Sequence, residues 1–534
     1  VFIYYKIQFY EKVLHKNNKE NGCKMVIYYL SFAGAVASLA AWFLYRTNDH
    51  KSNIFQKGFF ASLGLFLLTV LFQDVSLSDK MGVLFRDLAV MSGFGMFFKA
   101  LSTQRKAFLF GSVIAAAGFL IYQNAFMAHS FDRISQDDPI TYDASGELLL
   151  ELAEGQSQEV LATVVRKYGL ELQLAFDPAS PESTELDDYY LVDVPSNCLN
   201  IIPEIISELQ SIAEVDWVEP NETITINPLP GKSARTDKKY GVNDPGLSQL
   251  WGFEVMEVDK LYEYLDRQSI QPVAKALIAI LDTGVDATHE DLKDNFRSLD
   301  SKSDNDPRGH GTHCAGIAAA VSNNGVGVAS FSRDNQYVEV SSIKVLSASG
   351  MGTQQMIING IIKAADAGAS VISLSLGGRS NQTKERAYRK AVDYANSKNA
   401  IVVAAAGNSN RNAKDYAPAG VKGVIAVSAV DNDLNRAVFS NFVSDLSMGV
   451  AAPGVNIYST VPEGKYATFS GTSMATPYVA GMLGLMKSID PTLDTQTAYD
   501  ILYQTGRSTK DTDKTGFLIQ PHHAIKQLLE GHTL

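Results

Sequence analysis

The sequence predicts an α/β protein with a doubly wound parallel sheet and helices on both faces, preceded by a small α+β domain and an all-α transmembrane region. Three observations carry this expectation. Between residues 276 and 430, short, continuous, β-branched runs alternate with helical patterns, as strands buried on both faces of a parallel sheet do. Residues 145–226 show shorter patterns in the order β-α-β-β-α-β. The first quarter holds long apolar runs with little charge, of the length a bilayer demands. At 534 residues the chain is too long for one ordinary core, and about two to four units are expected.

Taken in order, residues 1–24 form an N-terminal tail whose translation the sequence leaves in doubt, because the first methionine is Met25. Residues 25–129 then read as a transmembrane region of about four helices, with runs at 25–45, 54–73, 83–101 and 108–128. The third run is the weakest, since Arg86, Asp87 and Lys99 lie within it. Lysine and arginine crowd the first loop (Arg46, Lys51, Lys57) and the third (Lys99, Arg105, Lys106). By the loop-charge rule these loops face the cytoplasm and the C-terminal region lies outside. The expectation is an integral membrane protein, partnered by the lipid bilayer, with its large domain extracytoplasmic.

Strand patterns at 147–153, 170–176, 189–194 and 215–218 enclose helical ones at 158–168 and 201–213, the split βαβ arrangement of ferredoxin-like domains. Residues 227–243, rich in Pro, Gly and charge, read as an exposed linker. Residues 244–534 supply the repeated βα units, with strands at 276–281, 338–345, 371–376, 401–405 and 424–430. In such folds functional residues gather at the carboxyl ends of strands.

The net charge of −12 excludes nucleic acid as a main partner, since phosphate binding needs a basic face. Cys23, Cys198 and Cys314 are too few and too scattered for a disulfide framework.

Three segments suit nucleophilic catalysis. In AILDTGVD (279–286) a buried strand ends in Asp282. In GHGTHCAG (309–316) His310 opens a small-residue helix. In SGTSMATP (470–477) Ser473 stands near a helix start, where the helix dipole favours negative charge. Their order and sequence resemble the three signature blocks of the subtilase family, and the His310 block is close to the proteinase K branch. The VDWVEPNE stretch (215–222) resembles the last strand of the family's inhibitor-type propeptides.

The resemblance implies a serine endopeptidase acting on polypeptides, with Ser473 as nucleophile, His310 as general base and Asp282 orienting it. It implies that Asn408, in AAAGNS (404–409), is the oxyanion donor. Ser349, Gly350, Met351 and Gly352 match one substrate-binding edge, and Ser375, Leu376 and Gly377 the other. The propeptide would be an intramolecular inhibitor, cut from the enzyme somewhere in 227–242. No cofactor is required for this chemistry. A structural calcium is implied at Asp291, with Asn323 and Asn324 in the matching loop, although that loop is about two residues shorter than the family pattern and a hard cation needs about six to eight oxygens. His310 and His313 have HxxH spacing, but no glutamate stands between them and no third zinc ligand suggests itself. The competing class is a catalytically silent scaffold or receptor, disfavoured because every functional position is filled.

Overall fold

The computed structural model describes residues 19–71, 77–104, 106–108, 111–112, 114–115, 146–226, 228–231, 240–380 and 385–531. They belong to two units, Val1–Pro139 and Ile140–Leu534.

The first unit contains helices Lys19–Leu44, Asp49–Leu71 and Leu77–Leu101. The first two meet antiparallel through small residues. A Cβ added at Gly34 would lie 3.0 Å from Ser62 Oγ, and one at Gly58 would lie 3.2 Å from Ser38 Oγ. Such pairs let helix backbones approach closely. Asp87 is fully buried and accepts hydrogen bonds from Tyr28 Oη and from Arg86 Nε. Among the described residues one helix, Asp49–Val70, is long and apolar enough to cross a membrane, and Leu30–Leu44 is a shorter apolar helix. The 83–101 run is helical but, with its three charges, does not meet that measure, and the 108–128 run lies almost entirely outside the described residues.

The second unit opens with β1 (Leu148–Leu152), β2 (Glu171–Leu174), β3 (Tyr189–Asp193) and β4 (Val215–Pro220). They form an antiparallel sheet in the order β2-β3-β1-β4. Helices Ala162–Tyr168 and Ile202–Gln210 supply the crossovers. This is the ferredoxin-like order. Leu148, Leu150 and Leu152 pack with Ile205 and Leu209 of this domain. Leu149 faces the other way and shares a buried cluster with Ile358 and Ile361. Two two- or three-residue strands follow, β5 (Thr223–Thr225) and β6 (Leu229–Pro230).

Next come β7 (Ala276–Asp282), β8 (Val338–Lys344), β9 (Met351–Thr353), β10 (Val371–Leu374), β11 (Gly378–Arg379), β12 (Ile401–Ala405), β13 (Tyr416–Ala417), β14 (Val424–Val430), β15 (Gly449–Pro453), β16 (Ile457–Val461), β17 (Lys465–Ser470) and β18 (Phe517–Leu518). Seven of these form a parallel sheet in the order β18-β15-β14-β12-β10-β7-β8. Residues on β7 alternate between two buried clusters. Ile278 and Ile280 face the helix Thr472–Ile489, while Leu277, Ala279 and Leu281 face the side of helices Gln354–Asp366 and Arg386–Ser397. Both faces are covered, so the strand is apolar at every position up to Asp282. From β7 the chain moves to β8 on one side, then returns to β10 on the other. That reversal opens a crevice at the carboxyl ends of β7 and β10.

Candidate active site

Asp282 closes β7 at the reversal point and is fully buried. Its carboxylate accepts hydrogen bonds from Thr283 N at 2.7 Å and Thr283 Oγ1 at 3.2 Å. His310, the first residue of helix His310–Ala319, places Nδ1 2.8 Å and 2.9 Å from the two carboxylate oxygens. Glycine is required beside it: a Cβ at Gly311 would stand 2.1 Å from Gly284 O. With Nδ1–H given to Asp282, Nε2 is left as the acceptor, and it is buried without a hydrogen-bond partner among the described residues.

Ser473 is the second residue of the helix Thr472–Ile489. It is tied to Ser375 in both directions: Ser473 Oγ donates to Ser375 O at 3.0 Å, and Ser375 Oγ donates to Ser473 O at 2.8 Å. Cys314 Sγ also donates to Ser473 O at 3.4 Å. The hydroxyl therefore rests on a carbonyl rather than on His310, and the Asp282–His310 leg alone is closed.

Asn408 follows β12. Its Oδ1 accepts from Thr472 N and Thr472 Oγ1, each at 2.9 Å. This fixes the amide so that Nδ2 points the other way, as a donor. A Cβ at Gly471 would lie 3.4 Å from Asn408 Nδ2 and 3.6 Å from Ser473 N, so two N–H donors border one small space. Asn408 and Ser473 line a cleft of about 300 Å³ together with Leu376, Gly377, Ile226 and Leu229.

The two expected substrate edges flank this cleft differently. At the first, β5 pairs antiparallel with β9, matching Thr223 to Thr353, Ile224 to Gly352 and Thr225 to Met351. The pairing continues through Ile226 N to Gly350 O at 3.0 Å. At the second, Leu376 is buried, and a Cβ at Gly378 would meet Ile224 Cγ1 at 3.2 Å. Beyond Pro228, β6 pairs with β17, matching Leu229 to Ser470 and Pro230 to Phe469. The chain itself thus runs along the cleft on both sides of Ser473.

Two residues outside the sequence reading organise this region. Asp306 is buried and accepts from Thr283 Oγ1, Arg308 N, Gly309 N, Thr312 N and Thr312 Oγ1, all between 2.8 and 3.1 Å. It holds the start of the His310 helix against the Asp282 strand end. Arg308 donates to Ser349 O and Ile226 O. An Asp four residues before His310 was a visible signal, because a carboxylate at a helix start satisfies free N–H groups. Arg308 carried no such signal.

His313 is packed as expected: its ring stacks on Phe469 at 4.5 Å and its Nε2 meets Ala467 O. Burial pushes its pKa down to about 3. The Asp282, His310 and Cys314 ligand atoms lie within 4.8 Å of one another, but the imidazole is engaged by the carboxylate and burial drives the thiol's pKa well upward. That donor set does not suit a metal, since a thiol must deprotonate to ligate.

The residues named for calcium are joined by hydrogen bonds. Asp291 Oδ1 accepts from Asn324 Nδ2 at 3.0 Å and Oδ2 from Val328 N at 2.7 Å. Asn324 Oδ1 is taken by Val326 N, and the Asn323 amide turns away to Asp334. Asp244 likewise accepts from the backbone N–H groups of Asn323 and Asn324. Two buried carboxylates, Asp244 and Asp291, thus meet around Asn324 in one loop. The shortened loop has closed directly onto its carboxylates.

Known proteins resemble this part of the chain. A subtilase-family profile (Peptidase_S8) matches residues 274–519. Thermitase of Thermoactinomyces vulgaris is 43% identical over 256 residues, which is 47% of this chain and 86% of that protein. Subtilisin DY of Bacillus licheniformis is 42% identical over 247 residues, 45% of this chain and 86% of its own length. The cell wall-associated protease of Bacillus subtilis (strain 168) is 37% identical over 305 residues, 56% of this chain and 32% of that protein. Parallel sheet, crevice and relatives define the class as a serine endopeptidase. More narrowly, the chain belongs to the subtilase family.

Proposed function

We propose that this is a membrane-anchored, extracytoplasmic serine endopeptidase whose own N-terminal α+β domain and following strand act as an intramolecular inhibitor. The observation that carries the peptidase assignment is the buried Asp282–His310 pair in the same crevice as a tethered serine hydroxyl. For reaction, Ser473 Oγ leaves the Ser375 carbonyl and turns to His310 Nε2. As Oγ bonds to the scissile carbonyl carbon, its proton passes to Nε2, and Asp282 balances the imidazolium. The negative oxygen is received by Asn408 Nδ2 and Ser473 N. Nε2 then gives its proton to the departing amine, leaving an acyl-enzyme. Water repeats the sequence, with its proton moving to Nε2 and back to Ser473 as the acid leaves.

The inhibitor reading rests on β5, which adds to β9 as an extended substrate would. It is supported by docking of the α+β sheet on helices Gln354–Asp366 and Arg386–Ser397. Asn221 Oδ1 accepts from Gln355 N, Glu219 accepts from Gln354 Nε2 and Ala387 N, and Glu151 pairs with Arg386 and Lys390. On this reading residues 145–226 are the propeptide domain, 227–243 the linker and 244–534 the catalytic domain.

Membrane anchoring is supported by the Asp49–Val70 helix and by the first unit's inside-out character. Phe60, Phe85 and Met96 are exposed, while Ser31 and Asp87 are buried. Outward placement of the catalytic domain rests on the loop charges. Assaying full-length protein on casein tests the whole reading. Wild type and Ile224→Asp, which ejects β5, should hydrolyse it, the variant faster, whereas Ser473→Ala should not. Equal hydrolysis by wild type and Ser473→Ala would end it.

A further inference from the structure

The Arg308 guanidinium bridges two strands. Nη1 donates to Ser349 O at 2.7 Å, on the enzyme's own edge, and Nη2 donates to Ile226 O at 3.0 Å, on the strand lying against that edge. Ile226 also donates its N–H to Gly350 O at 3.0 Å. The residue paired with Gly350 is therefore held at both its amide ends. Space for this is reserved by Gly350, with φ at +80°: a Cβ there would lie 2.7 Å from Arg308 Nε and 3.0 Å from Ile226 Cγ1. The arginine's own backbone is anchored through Arg308 N to Asp306 Oδ1 at 3.1 Å, the same carboxylate that fixes the His310 helix start.

We propose that Arg308 is a substrate-positioning residue, clamping the main-chain carbonyl of the substrate residue that pairs with Gly350. This rests on the reading that residues 223–226 occupy the substrate's place. A carbonyl is present whatever the side chain, so the clamp reads main chain and tolerates sequence. It sets the depth of the bound strand two residues from His310. A planar two-pronged donor can hold edge and guest at once, which a lysine ammonium does less well.

The test uses full-length protein carrying Ile224→Asp, so that the internal strand no longer competes, and an internally quenched peptide with TITIN ahead of the cleaved bond, so that the clamped carbonyl is one residue removed from it. Adding Arg308→Ala should raise KM about tenfold and leave kcat within about twofold, as loss of a charge-assisted hydrogen bond made equally before and in the transition state does. Arg308→Lys should recover part of the loss. A peptide with that carbonyl reduced to methylene should already bind weakly, and Arg308→Ala should then cost it nothing further. An unchanged KM, a fall confined to kcat, or equal losses on both peptides would overturn the clamp. Ile224→Asp also checks the reading beneath it. If Ser473 reacts with a fluorophosphonate no faster than in wild type, the strand does not fill the cleft, and both inferences fall.

Discussion

Two strands of this protein are written almost alike but owe their burial to different neighbours. β7 and β1 are both buried along their entire length. On β7, both faces are covered by helices of the domain that owns it, and its one charge, Asp282, is placed at the end for chemistry. On β1, one face is covered by its own domain and the other joins the cluster containing Ile358 and Ile361. Its internal charge, Glu151, is satisfied by Tyr189 Oη at 2.6 Å and by Arg386 and Lys390 across the contact. A run of apolar residues thus records total coverage without telling who provides it. The parallel sheet is complete in itself, and the antiparallel sheet is finished by docking.

The largest test of that division is chemical. All reacting groups lie on the parallel-sheet side, so Ser473→Ala should lower kcat by about 10⁶, with β1–β4 still docked by hydrogen exchange. Asn408→Ala should cost about 10²–10³ in kcat with little change in KM, measured on the Ile224→Asp background. Next come the strands themselves. Ile278→Ala in β7 should lower unfolding free energy by about 2–5 kcal/mol. Leu149→Ala in β1 should instead act mainly on docking, speeding fluorophosphonate labelling of Ser473 at temperatures where the catalytic domain stays folded. A large fall in catalytic-domain stability from Leu149→Ala would break the comparison.

pH should sharpen it. Burial pushes the Glu219 and Glu385 carboxyls from 4.5 up to about 7, with Glu222 and Asp415 adding to the effect at Glu385. Bonds from Trp217, Ala387, Arg386 and Gln354 oppose it at Glu219. A carboxyl raised on docking keeps its proton where an exposed one has lost it. Docking is then strongest near and below pH 4.5, weakens as pH rises to about 7, and changes little above that. The expected difference between pH 5 and pH 8 is on the order of 10²-fold in the open fraction from Glu219 alone, and Glu219→Gln should shrink it. The smallest effect concerns calcium: with Asp291 closed by loop N–H groups, EGTA should shift Tm by less than about 2 °C.

Much of this was legible in the sequence, for physical reasons. β7 could be read because burial on both faces demands an unbroken apolar run, and the Asp282, His310 and Ser473 segments because small residues must surround a functional one there. The six elements of the α+β domain followed from their periodicity, although residues 158–168 split into a 3₁₀ turn and the helix Ala162–Tyr168. Asp291 reads the same in sequence whether its carboxylate holds a cation or a loop. Arg308 was invisible because its partners, Ser349 and Ile226, come from distant parts of the chain. The apolar runs at 25–45, 54–73 and 83–101 located the first unit's helices.

Mapping the site of fluorophosphonate attachment by mass spectrometry tests the central claim most directly. Modification of Ser473 alone, with hydrolysis lost in proportion and attachment accelerated by Ile224→Asp, is the predicted result. Continued casein hydrolysis by fully labelled enzyme, or a label carried by another residue, would contradict it.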